Sequence, residues 1–78
     1  MPTADQIRMA RAGVHMSVRE LSEASGVAES TILRFEGDKG GMQTGTLARL
    51  QKALEKEGII FIEADEKFGP GVRLRSKR

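Results

Sequence analysis

The 78-residue sequence predicts a mainly α-helical fold, with four short helices followed by a two-strand β segment. Apolar residues recur at three- and four-residue spacings as far as Leu54, which is typical of amphipathic helices. From Ile59 onward, β-branched and alternating stretches replace that pattern, which is typical of strands. The length allows one compact unit. We divide it into a helical part, residues 1–58, and a β segment with a basic tail, residues 59–78.

The first two helices are predicted from their start and stop signals. Thr3 is suited to cap a helix over residues 4–12, and Gly13 is expected to end it. The stretch SVRE (17–20) is a capping box, in which the serine hydroxyl and the glutamate carboxylate each accept an amide at the helix start. We expect Gly26 to end this second helix, because the chain must turn there with a positive φ.

Two further helices follow. A third helix is expected over residues 29–36, with Ile32 and Phe35 facing the core. A glycine-rich loop separates it from a fourth helix over about residues 45–57, in which three leucines share one side. Gly58 is expected to end the fourth helix.

The two strands raise a packing problem that a second copy of the chain would solve. Side chains of the IIFIE stretch alternate between two faces, and both faces are apolar, although the helices can cover only one. We therefore expect Ile60 and Ile62 to face the helices and the other face to form a homodimer interface. That predicted interface consists of Ile59, Phe61, Val72 and Leu74. The alternative is a hairpin that folds back on its own fourth helix, with helical surfaces forming the dimer.

Composition excludes several classes of function. The sequence contains no cysteine, and His15 is its single histidine, so neither a disulfide nor a metal site is expected. No cofactor motif or nucleophile–base pair is visible, which argues against an enzyme. No apolar run is long enough for a signal peptide or a membrane span, so we expect a cytoplasmic protein without membrane contact. The net charge of +2 arises at the C-terminal end and suits either nucleic acid or solvent.

Two short helices joined at Gly26 form a helix-turn-helix pattern. The stretch MSVRELSEASGVAESTILRFEGDKG resembles the helix-turn-helix of Cro/C1-type, or XRE-family, transcriptional regulators, within a similarity over residues 7–54. The positions in register are Ser17, Leu21, Gly26, Val27, Ser30, Thr31, Ile32, Arg34, Glu36 and Gly37. The resemblance implies a bundle of four or five helices that binds double-stranded operator DNA as a dimer.

The resemblance also implies roles for single residues. Ser30 and Arg34 match positions that contact bases or phosphates, and Lys39 matches the loop beside the phosphate backbone. Arg11 and Glu36 match a partly buried ion pair that braces the first and third helices near a phosphate. The predicted DNA-binding residues are Arg11, Ser17, Arg19, Ala28, Glu29, Ser30, Thr31, Leu33, Arg34 and Lys39.

Some positions depart from the family pattern or allow a simpler interpretation. Val18 stands where many relatives have a phosphate-contacting glutamine, and Ala28 replaces a capping serine or threonine. Leu33 suits a thymine methyl group, or is simply a partly exposed leucine. Glu29 suits a cytosine contact or the positive end of the helix, and Lys39 suits a phosphate or solvent.

The sequence therefore predicts a sequence-specific DNA-binding transcriptional regulator, a repressor or autoregulator that binds a palindromic operator as a homodimer. The alternative is an antitoxin-like protein, which would bind a toxin through its C-terminal segment as well as operator DNA. Co-purification of a toxin would distinguish the two. A small four-helix domain without a DNA-binding role is the third interpretation.

Overall fold

In a computed structural model, residues 1–76 form a small, mainly helical fold that ends in a two-stranded antiparallel sheet, as the sequence predicts. The elements in chain order are α1 (Ala4–Val14), α2 (Val18–Ser25), α3 (Glu29–Glu36), α4 (Thr44–Lys56), β1 (Ile59–Ile62) and β2 (Gly71–Leu74). Two residues of the predicted basic tail, Lys77 and Arg78, lie outside the described residues. Among residues 1–76, no helix has the length and apolar character that crossing a membrane requires.

The helix starts follow the local signals in the sequence. The Thr3 hydroxyl accepts a hydrogen bond from the Gln6 amide, and the Gln6 side chain accepts one from Thr3. At α2, the Ser17 hydroxyl accepts from the Glu20 amide at 3.0 Å, while the Glu20 carboxylate accepts from the Ser17 amide at 2.8 Å. Gly26 ends α2 in the left-handed conformation with φ +75°. These predictions are confirmed.

The end of α1 differs from the prediction. Gly13 lies inside the helix, which continues to Val14 and ends at His15 in the left-handed conformation with φ 60°. Gly13 instead provides room for the sheet, because a Cβ at this position would approach Leu74 Cδ2 at 3.2 Å. The missing side chain at Gly13 therefore allows close packing of α1 against β2.

One hydrophobic core joins the helices and the first strand. The side chains predicted to line the apolar faces of α1, α3 and α4 are buried or half-buried. Ile59 is 2% exposed and belongs to this core, although it lies beyond the boundary drawn at Gly58. The buried members of the core are Ile7, Ala10, Leu21, Val27, Ile32, Leu47, Leu50, Ala53, Leu54 and Ile59.

The hairpin packs with the opposite face from the one predicted. Ile59 pairs with Leu74, and Phe61 pairs with Val72, so these four side chains share the face directed at the helices. Phe61 and Val72 pack against the core, and Leu74 lies beside Gly13. The expectation that this face is free for a second chain is wrong for Ile59, Phe61 and Val72, whereas Leu74 is 43% exposed.

The outer face of the hairpin is the one left uncovered. Ile60 is 46% exposed and Ile62 is 39% exposed, on the side of the sheet that carries Arg73. The sequence predicts correctly that the side chains alternate between two faces, but it assigns the wrong face to the helices. The reason lies in the position of α1, which approaches β2 closely at Gly13 and so fixes which face points inward.

A buried glutamine holds the hairpin against α1. Gln6 is 2% exposed, and its Nε2 donates hydrogen bonds of 2.9 Å to the carbonyl oxygens of both Ile62 and Gly71. Ile62 and Gly71 are cross-strand partners at the end of the sheet next to the connection between the strands. A single side chain on α1 therefore fixes both strands at once.

Candidate nucleic-acid interface

The predicted site residues on α3 form an exposed surface on the outer side of a helix whose inner side is buried. Ile32 and Glu36 are buried, and Phe35 is half-buried, so one side of α3 is fixed on the rest of the protein. The exposed residues of the helix are Glu29, Ser30, Leu33 and Arg34. Leu33 is 57% exposed, so this side of the helix also presents a large apolar side chain.

The N-terminal end of α3 is open, unlike that of α2. Ala28 occupies the N-cap position but makes no side-chain cap hydrogen bond. Its carbonyl oxygen accepts from the amides of Thr31 and Ile32, both at 3.1 Å. The amides of Glu29 and Ser30 precede the first intrahelical donors and have no partner within the helix. They can donate to an approaching acceptor such as a phosphate oxygen.

Arg34 and Lys39 are held side by side at the C-terminal end of α3. The Lys39 amide donates to the Arg34 carbonyl oxygen at 3.0 Å. Asp38 adopts a left-handed conformation with φ 57°, and the chain then passes Gly40, where a Cβ would lie 3.9 Å from Arg34 Nε. Both cations remain exposed.

The start of α2 contributes Ser17 and Arg19. The Ser17 hydroxyl accepts from the Glu20 amide in the capping box, and the residue is exposed at the start of the helix. The backbone amide and then the hydroxyl of Ser17 hold the pKa of Glu20 below its usual range. Arg19 lies 3.7 Å from Glu23, and both are largely exposed, so this pair restrains the arginine weakly.

Arg11 differs from the other predicted residues because its guanidinium is already engaged. Nε and Nη2 donate to the two carboxylate oxygens of Glu36 at 2.7 and 2.6 Å, and Nη1 donates to the Met16 carbonyl oxygen at 3.0 Å. The hydrogen bond to Glu36 raises the pKa of Arg11. Its geometry fits the bracing role rather than direct recognition of a base.

Sequence reasoning missed one cation near this surface. Arg8 on α1 pairs with Asp5 and lies 4.0 Å from Asp38 in the loop after α3. The spacing of Asp5 and Arg8 indicates a helix-surface pair. No local signal, however, connects Arg8 with the loop that carries Asp38 and Lys39.

The surface as a whole carries mixed charge. The exposed cations Arg19, Arg34 and Lys39 are accompanied by exposed carboxylates at Glu20, Glu23, Glu29 and Asp38. Individual positions, rather than a broad basic field, therefore have to provide any phosphate contacts. Within residues 1–76, no group of three histidine, aspartate or glutamate side chains is placed to bind a metal ion.

Of the predicted DNA-binding residues, those on the starts of α2 and α3 and in the following loop are exposed, except for half-buried Thr31. Arg11 lies behind them, half-buried against Glu36. The chain matches no protein-family model, and no curated protein was found that matches it.

Proposed function

We propose that the protein is a sequence-specific DNA-binding transcriptional regulator of the Cro/C1-type, with α3 as its recognition helix. The observation that carries this proposal is the outer side of α3, where polar, charged and apolar side chains are exposed together on a helix fixed from behind. A single α-helix fits the major groove of B-DNA, where each base pair presents a distinct pattern of donors, acceptors and methyl groups.

The exposed side chains match the chemistry of that groove. Arg34 is suited to bind guanine through two hydrogen bonds, and Leu33 to contact a thymine methyl group. Ser30 has both a donor and an acceptor. Ser17, Arg19 and Lys39, together with the open amides of α3, are suited to position the helix by contacting phosphates.

We test α3 by selecting bound duplexes from random DNA and then measuring the affinity of variants for the selected duplex. Arg34→Ala should weaken binding by about 1–3 kcal/mol and relax the preference at one base pair. Lys56→Ala removes the same charge from the exposed last turn of α4 and is the matched control. Equal affinities of the two variants would contradict the proposal that α3 reads the bases.

Salt dependence provides a separate measurement. Two exposed cations that we assign to phosphates, Arg19 and Lys39, predict that log K falls with log salt with a slope of about −2 for each bound chain. Lys39→Ala should reduce this slope by about one without changing the preferred sequence. A slope near zero would exclude phosphate contacts as a source of affinity.

A homodimer through the outer sheet face completes the proposal. Ile60 and Ile62 form an exposed apolar patch, and a two-stranded sheet has open edges that can pair with another chain. Two copies joined there would present two recognition helices to successive major grooves about 34 Å apart, which requires a palindromic operator.

Deletion of the hairpin is an unsuitable test of the dimer, since Ile59 belongs to the core. Ile60→Lys instead places a charge in the exposed patch. We expect it to sediment as a monomer at micromolar concentration and to bind the palindromic operator more weakly than the parent dimer does. Met9→Lys, at an apolar α1 position that is 39% exposed, is the matched control. An Ile60→Lys protein that stays dimeric at micromolar concentration would place the two-fold interface elsewhere.

The same patch also suits the antitoxin-like alternative, in which Ile60 and Ile62 contact a toxin. Expression together with the neighbouring gene distinguishes the two. A regulator that acts alone is purified alone, whereas an antitoxin brings its toxin with it. Loss of that toxin in the Ile60→Lys protein would assign the patch to the second partner.

A further inference from the structure

The connection between the strands presents an exposed aromatic ring. Phe68 is 72% exposed. Its position is fixed by Asp65, whose Oδ1 accepts from the amides of Lys67 at 2.8 Å and Phe68 at 2.7 Å. The Asp65 amide in turn donates to the Phe68 carbonyl oxygen at 2.9 Å. Because the turn is already ordered, little conformational entropy would be lost when the ring enters a partner.

The charge around Phe68 is mainly negative. Glu63, Asp65 and Glu66 are exposed in the connection, with Lys67 as the opposing charge. A surface that accepts this turn therefore has to combine an apolar recess with cations.

Such a surface lies between α2 and α4 of the same chain. Its lining includes the small side chains of Ala24, Ser25 and Ala53. Small side chains leave an open groove between the two helices. A phenyl ring from a partner would fill this groove with apolar surface that the small side chains lack.

The long side chains that line this groove are mostly basic. Arg49, Lys52 and Lys56 share one side of α4, because they are three and four residues apart. No ion pair within 4.0 Å involves any of them among residues 1–76. Glu55 also lines the groove, but its carboxylate accepts a hydrogen bond from Gln51 Nε2 at 3.1 Å.

We propose that the turn of one copy docks in the α2–α4 groove of a second copy, with Phe68 between the helices and its acidic neighbours against Arg49, Lys52 and Lys56. Complementary size and charge support this occupant. The exposure of Phe68 shows that the ring does not occupy the groove of its own chain. The contact uses neither α3 nor the outer sheet face, so it would join copies independently of DNA and of the proposed dimer.

The first experiment measures self-association by sedimentation without DNA, at concentrations far above micromolar, in the Ile60→Lys background that removes the proposed sheet contact. Phe68→Ala should weaken association by at least about tenfold, as truncation of an aromatic anchor does at interfaces. Met9→Ala, an apolar truncation at an exposed position of α1, should leave association unchanged. Equal association of the Phe68→Ala protein and its background would overturn the proposal.

The second experiment exchanges the charges. In the same Ile60→Lys background, Lys52→Glu damages the groove and Glu66→Lys damages the turn, so each protein alone should associate weakly. A mixture of the two contains one intact turn and one intact groove, and should associate as tightly as the Ile60→Lys protein. A mixture no tighter than its separate components would also overturn the proposal. Both residues are exposed, and amide spectra will verify that each variant folds.

Discussion

Arg11 on α1 and Glu36 on α3 form a two-point ion pair, with Nε–Oε2 at 2.7 Å and Nη2–Oε1 at 2.6 Å. The Glu36 side chain is 6% exposed and that of Arg11 is 22% exposed, so the carboxylate depends on the arginine for most of its solvation. The pair connects the back of the proposed recognition helix to α1. It holds α3 in addition to the core contacts of Ile32 and Phe35.

Loss of either partner of this pair should destabilise the protein more than loss of both. Arg11→Met leaves a buried carboxylate unpaired, and we expect a loss of about 2–3 kcal/mol, below the range for fully buried pairs because Arg11 keeps some water. The Arg11→Met/Glu36→Leu double variant should unfold within about 1 kcal/mol of the parent. Urea unfolding of the four proteins measures the coupling, and additive effects would contradict the bracing role.

Gly26 provides a test of backbone conformation without a change in packing. A Cβ at Gly26 meets no atom within 4 Å, so the cost of Gly26→Ala arises from its φ of +75° alone. We expect destabilisation of about 1–2 kcal/mol.

Gly45, in the first turn of α4, also has open space around it but an ordinary φ. Gly45→Ala should therefore be neutral or stabilising by up to about 1 kcal/mol, since alanine favours helices. Equal effects at the two positions would exclude the backbone explanation.

The features that the sequence predicted correctly depend on neighbours in the chain. Thr3, Ser17 and Gly26 act within a single helical turn, and their roles can be derived from spacing. The exposed residues of α3 follow from periodicity once the resemblance identifies the helix. Gly13 and the faces of the hairpin depend instead on how α1 meets β2, and both faces of β1 are apolar. Gln6 resembles an ordinary polar helix residue, and its two strand partners are distant in sequence.

Asp65 should make the order of the hairpin turn depend on pH. The amides of Phe68 and Lys67 hold its pKa below the usual range. Because the folded pKa is lower than the unfolded one, the ordering is complete above the ordinary aspartate pKa and is lost as pH falls through the lowered value. Amide chemical shifts of Lys67 and Phe68 should report this titration. Asp65→Ala should abolish it, whereas Glu66→Gln at the neighbouring exposed position should preserve it. Persistence of the titration in the Asp65→Ala protein would assign it to another group.

Gln6 allows the attachment of the hairpin to be tested by a change of one atom. Gln6→Glu keeps the oxygen that accepts from Thr3 but replaces Nε2, which donates to the Ile62 and Gly71 carbonyl oxygens, by a second oxygen. A buried carboxylate then faces two carbonyl oxygens, so we expect a loss of more than about 2 kcal/mol at neutral pH. The surroundings raise the pKa of this introduced carboxyl, since they disfavour its charged form. Part of the loss should therefore be recovered at mildly acidic pH, where the protonated oxygen can donate again.

Gln43→Glu, an exposed substitution before α4, should show neither effect. Equal stability of the Gln6→Glu protein and the parent at neutral pH would show that the hairpin is held by its apolar face alone.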